Sequence, residues 1–297
     1  IEVASSHRGG PRLTFEAAPI EVGPRLRQAM FERMASVVMT SATLAIDHRF
    51  DYLHRRVGLD ALSVPERVRP LLVESPFDYA TQAVLAVPAD LPDPTQPGFD
   101  DASHSFLDDL LGVTEGGTFV LFTSYAALER AHAALEGGLR AAGLTPLRQA
   151  GGSRRQLLER FVADRRSVLF ATDSFWEGVD VRGDALRCVV IARLPFAVPT
   201  EPIQQARYEA IQARGGDPFA EYSLPRAAIK LKQGFGRLIR SRSDRGAVVL
   251  LDSRVVHRRY GRVFLDSLPP ARRVVASRAQ VLGEMRSFFR GGSANLT

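Results

Sequence analysis

Cysteine is almost missing from this chain of 297 residues: Cys188 is the only one. An intramolecular disulfide is therefore excluded, and so is any four-cysteine zinc or iron–sulfur site built from this chain alone. Its neighbours are apolar, so a packed thiol is expected. Lysine is nearly as scarce, since Lys230 and Lys232 are the only two among 39 basic residues. Neither follows a glycine or precedes a serine or threonine, so the phosphate-cradling loop Gly-x-x-x-x-Gly-Lys-Ser/Thr is absent. No run of about 18 apolar residues exists to span a membrane, and the first twenty residues lack the basic-then-apolar order of a signal peptide. A cytoplasmic protein with no membrane partner is expected. Internal repeats and low-complexity tracts are lacking too.

What is present suits a globular protein. The hydrophobic share of 45% is ample for a core, and the length allows one large or two modest domains. A formal net charge of +6 favours a polyanionic partner, although the arginine excess behind it also fits a plain composition bias.

Along the chain, residues 1–19 read as two short strands about a turn, 25–34 as a helix, and 36–39 as a short strand ending in Thr40, Ser41, Ala42 and Thr43. Residues 50–58 read as helical, 83–87 as a strand, 88–98 as a proline-rich loop and 103–111 as a helix whose Asp108 and Asp109 are surface charge. From Gly117 the pattern becomes regular. Strands are expected at 118–122, 144–148, 167–171, 186–192 and 247–251. Helices are expected between them, the one at 153–162 capped by Ser153. Continuous apolar strands alternating with helices argue an α/β fold with a mostly parallel sheet and helices on both faces. Residues 255–290 read as helical and arginine-rich, before a Gly-Gly-Ser tail.

Residues 223–246, SLPRAAIKLKQGFGRLIRSRSDRG, read as a helix with two faces. Ala228, Leu231, Phe235 and Leu238 fall on one stripe, to be buried. Lys230, Gln233, Arg237 and Arg240 follow the same steps on the opposite side. Gly234 and Gly236 each cost a helix interior about 1 kcal/mol relative to Ala, which suggests close approach by something anionic such as a phosphate chain. A solvated arginine face explains the same pattern, and the helix alone does not choose between them.

Ligands of open α/β sheets bind at the carboxyl ends of the strands, so the loops there are candidates. One is 172–180, with Thr172, Asp173, Ser174, Glu177, Asp180 and Trp176, the only tryptophan. Thr123, Ser124 and Tyr125 open a helix, whose free N–H groups suit a phosphate. Arg193 to Phe196 forms a stiff turn. For Ser41 to Thr43 a plain strand-to-helix junction is the simpler reading.

These segments, in order, resemble the C-terminal half of the DinG/XPD-like superfamily 2 DNA helicases, the bacterial DinG branch most closely. Ser41 to Thr43 resembles motif III, 121–125 motif IV, 174–180 (SFWEGVD) motif V, and 233–240 (QGFGRLIR) motif VI. The LPF turn at 194–196 and LDSR at 251–254 also fall in place, and the resemblance spans roughly residues 19–269. It implies a RecA-like second helicase domain at 46–297, preceded at 1–45 by the end of the first motor domain. It further implies that Arg240 is an arginine finger, with Arg237 beside it on the γ-phosphate and Gln233 at the same site. Glu177, Gly178 and Asp180 are implied to couple nucleotide to DNA, Asp180 nearest the nucleotide. Thr123, Ser124, Tyr125 and Ser174 are implied along the single-stranded DNA track. Trp176 is open to stacking or packing.

The chain departs from that family in having neither the phosphate-cradling loop nor the acidic metal box of the first motor domain. It is therefore expected to be a fragment whose ATP and Mg²⁺ are bound mainly by a missing N-terminal half, its partner beside single-stranded DNA. The resemblance leaves room for an iron–sulfur cluster in that half, with none in this chain. The parent is implied to be an ATP-dependent helicase moving 5′ to 3′, and the fragment alone to be inactive. The alternatives are a non-motor nucleic-acid-binding module of degenerate helicase origin, and part of a DinG-like exonuclease.

Overall fold

The computed structural model describes residues 17–61, 66–150, 153–172, 175, 181, 185–197 and 201–291, and the main chain of 2–6, 9–14 and 65. Two compact units emerge. One comprises Ile1–Leu44, Arg49–Leu71 and Ala197–Ser223, and the other Ala45–His48, Leu72–Phe196 and Leu224–Thr297.

In the first unit, Glu2–Ser6 and Gly9–Thr14 pair antiparallel, as the sequence suggests. A helical turn at Gly23–Leu26 widens into a π-helical turn at Arg27–Phe31. Asp51–Val57 is a helix closed by Gly58, whose φ of 81° a side chain resists and whose Cα lies 2.9 Å from where Gly23 would carry a Cβ. The strand expected at 36–39 is irregular instead. Pro202–Ala213 is a helix with proline in its first turn, where a missing N–H costs nothing. Tyr222, 3% exposed, accepts from Arg207 Nη1 at 3.0 Å, and the guanidiniums of Arg56 and Arg207 lie over its ring.

The second unit is built on seven strands: β1 (Ala83–Pro88), β2 (Thr118–Leu121), β3 (Thr145–Arg148), β4 (Ser167–Ala171), β5 (Cys188–Ile191), β6 (Gly246–Leu250) and β7 (Arg272–Ala276). They lie in the order β3-β4-β2-β5-β6-β1-β7, and every pairing is parallel. A parallel sheet must be covered on both faces, and apolar runs such as Val189–Val190–Ile191 provide for that. Val84, Val120, Phe170, Val190 and Val249 join one core with α1 (Phe99–Thr114), α2 (Tyr125–Ala141) and a C-terminal helix at Arg278–Gly291. On the other face Phe119 meets Phe161 of α3 (Arg154–Ala163) at 4.6 Å between ring centres, and α4 (Leu224–Phe235) packs near β5. The fold is thus the α/β arrangement the alternation predicts.

Three further expectations need correction. Residues 255–290 are not continuously helical, because β7 adds an edge strand there. The helix expected at 103–111 runs from Phe99 to Thr114. Most consequentially, α4 stops at Phe235 rather than continuing through Arg240. Cys188 is a packed thiol as expected, fully buried, and burial pushes its pKa up to about 12.

Candidate functional site

Because all seven strands run the same way, the loops after β2, β4, β5 and β6 gather at one edge of the sheet. Ser124, in extended conformation, caps α2 by accepting from the Ala127 N–H at 3.3 Å. Its side chain is exposed, Thr123 is half-buried, and the Tyr125 ring is exposed. The Tyr125 hydroxyl accepts from Nε2 of Gln149 at 2.7 Å. Oε1 of the same amide accepts from the Thr172 N–H at 2.7 Å and its hydroxyl at 3.1 Å. One buried glutamine at the end of β3 thereby ties the loops after β2 and β4 together.

Of the loop after β4, Ser174, Trp176, Glu177, Gly178 and Asp180 lie outside the described residues. Phe175 is fully buried, packs edge-on against Phe119, and has Arg154 over its ring. A second tie joins β5 to β6. Asp252, fully buried, accepts from the Leu194 N–H at 2.8 Å and takes a bidentate contact from Arg254, Nε at 2.9 Å and Nη2 at 2.6 Å. Arg254 also lies over the Phe196 ring, and its pKa is raised by the Asp252 hydrogen bond. Arg193 reaches Asp100 at 3.1 Å and lies over Phe99.

Arg237 and Arg240 sit elsewhere. Ala228, Leu231 and Phe235 are buried on α4, while Lys230 and Gln233 are half-buried. Beyond Phe235 the chain tightens into turns, Arg237 N–H to Gly234 C=O at 3.3 Å and Leu238 N–H to Phe235 C=O at 3.2 Å. The single outer helical face expected for Gln233, Arg237 and Arg240 is therefore broken. Gly234 is buried in the last turn of α4, and Gly236 directly follows its last residue. The segment leads into the start of β6, so Arg240 lies at the edge where strands begin. Its N–H donates to Oδ2 of Asp244 at 2.8 Å. Lys232, half-buried, donates to the Ala45 carbonyl at 3.4 Å, and burial lowers its pKa.

Sequence reasoning passed over Gln149 and Gln82, whose partners are remote in the chain, and Asp244, whose side chain closes a local turn onto Arg240 and Ser241. No three His, Cys, Asp or Glu side chains stand together to hold a metal ion among the described residues.

Comparison with known proteins then adds a second line. Residues 107–271 match the family model described as the helicase C-terminal domain. ATP-dependent DNA helicase YoaA of Escherichia coli K12 is 42% identical over 261 residues, which cover 88% of this chain and 40% of that protein. ATP-dependent helicase DinG of Mycobacterium tuberculosis H37Rv is 40% identical over 272 residues, covering 91% and 40%. A protein of Bacillus subtilis 168 named 3′-5′ exonuclease DinG is 37% identical over 258 residues, covering 85% and 27%. The chain thus spans about 40% of the length of the first of these relatives. A solved XPD helicase superposes with a TM-score of 0.51 at 17% identity, over 65% of this chain and 35% of that one, a likeness of fold.

Proposed function

Because this chain belongs to the helicase C-terminal domain family, we propose that it is the second motor domain of an ATP-dependent DNA helicase of DinG type. Residues 1–45 then close the first motor domain and 46–297 form the second. The parent moves 5′ to 3′ along single-stranded DNA, and its N-terminal half holds ATP and Mg²⁺. In this reading Arg240 is the arginine finger, which places positive charge against the γ-phosphate as negative charge develops there. Arg237 and Gln233 contact the same phosphate. Thr123, Ser124, Tyr125, Ser174 and Trp176 line the DNA path, and Glu177, Gly178 and Asp180 couple it to the nucleotide, Asp180 nearest to it. Alone, this chain does not hydrolyse ATP, since phosphate positioning comes from the other half.

The observation that carries the reading is the separation of two polar regions on one sheet. An exposed helix start at Ser124 stands at the edge where strands end, with N–H groups suited to a phosphate chain. Arg240, on a main chain fixed by a buried carboxylate, stands at the other edge. A motor that couples nucleotide to nucleic acid needs both. The test is DNA-stimulated ATPase activity of the full-length parent. Arg240→Ala is expected to lower turnover about 10³-fold or more. An unchanged rate overturns the assignment.

A further inference from the structure

A guanidinium at the end of a long side chain is only as well placed as the main chain that carries it. Arg240 follows the end of α4, in a segment whose residues Arg242 and Ser243 are exposed, and such a segment would ordinarily be mobile. Here it is closed on itself. Oδ2 of Asp244 accepts from the N–H groups of Arg240 at 2.8 Å and Ser241 at 2.9 Å, and Oδ1 accepts from the Ser241 hydroxyl at 2.7 Å. The closed loop is also hooked to the sheet. Nε2 of Gln82, the residue before β1, donates to the Ser241 carbonyl at 2.9 Å and the Asp244 carbonyl at 2.8 Å. Both side chains are 8% exposed, so these bonds form away from competing water.

We propose that Asp244 and Gln82 are positioning residues for ATP hydrolysis, holding the Arg240 main chain in register with the transferring phosphate; the proposal rests on the reading of Arg240 as the finger. Asp244 acts through acceptors matched to two consecutive N–H groups, and Gln82 through donors matched to two carbonyls of the same loop. Neither touches the nucleotide. Their removal leaves substrate binding intact and blurs an interaction made in the transition state, which is a loss in kcat with little change in KM.

The test uses the full-length parent and measures kcat and KM for ATP and for single-stranded DNA. Asp244→Ala is expected to lower kcat about 10²-fold while both KM values stay within about threefold. Asp244→Asn, which keeps one acceptor oxygen, should recover part of the loss. On an Arg240→Ala background, Asp244→Ala should lower kcat no further, because the group it positions is gone. Should Asp244→Ala not fold, Gln82→Met tests the same hook, with a loss of about tenfold expected. Unchanged kcat in these variants beside a large loss in Arg240→Ala overturns the positioning role and leaves the finger standing. So does an Asp244→Ala loss that appears in full on the Arg240→Ala background. An unchanged rate in Arg240→Ala itself removes the finger, and the positioning role with it.

Discussion

Asp93 is held by its neighbour two residues on: its Oδ1 accepts from the Thr95 N–H at 3.0 Å and the Thr95 hydroxyl at 2.7 Å, while Arg258 approaches at 3.1 Å. These bonds, led by the Thr95 N–H, bring its pKa from 3.8 down to about 2. A carboxyl whose folded pKa is depressed stabilises the fold above its unfolded value and loses that contribution as pH falls through the folded one. Thermal melts of Asp93→Asn should therefore lie below wild type at neutral pH. The gap should close as pH falls from 3.8 toward about 2. A gap that persists unchanged at pH 2 would show that Asp93 contributes by shape alone. Asp252 differs in kind, being fully buried against Arg254, so losing either partner strands the other.

Among elements, the turn from α1 into β2 is tightly constrained. Glu115, Gly116 and Gly117 all have positive φ, at 55°, 104° and 56°. A Cβ on Gly116 would lie 2.4 Å from the Arg165 carbonyl oxygen and from the Arg166 Cα, both main-chain atoms just before β4. Gly116→Ala combines backbone strain with a clash that no rotamer relieves. It is expected to cost about 2–4 kcal/mol of stability, read from the urea midpoint, and a loss under about 0.5 kcal/mol would refute it. Some of this architecture is legible in the sequence. Central strands such as β5 declare themselves as unbroken apolar runs, and Ser124 and Ser153 stand where helix caps belong, each accepting from a main-chain N–H. The end of α4 is hidden, because Leu238 is buried too and prolongs the apolar stripe past the last helical residue. β7 is hidden for the opposite reason: it is an edge strand rich in arginine, with Arg272 paired to Glu284 and Arg273 bonded to the Leu265 carbonyl. The amide of Gln149 is illegible as well, since its partners lie 24 and 23 residues away and nothing local marks it.

On the scale of the molecule, the two edges of the seven-stranded sheet separate what the proposed motor must do. In the full-length parent, Arg240→Ala should leave the Kd for single-stranded DNA within about twofold, since that arginine stands away from the strand-end loops. Ser124→Ala should weaken DNA binding and cost about 1 kcal/mol of stability through its lost cap. Fluorescence anisotropy at fixed salt distinguishes them, and equal weakening by both would deny the division. The bridge from Gln82 to Asp244 also has a consequence in time. The two residues are 162 positions apart, and β1, the earliest strand of this sheet, inserts between β6 and β7. Closing so long a loop is slow, and it waits for the strands on either side. On the ribosome, residue 82 emerges well before residue 244 exists, so the loop around Arg240 gains its second anchor only once the chain has grown past β6. A half-made chain lacks that anchor, so in the proposed motor the arginine is seated only with the completed sheet.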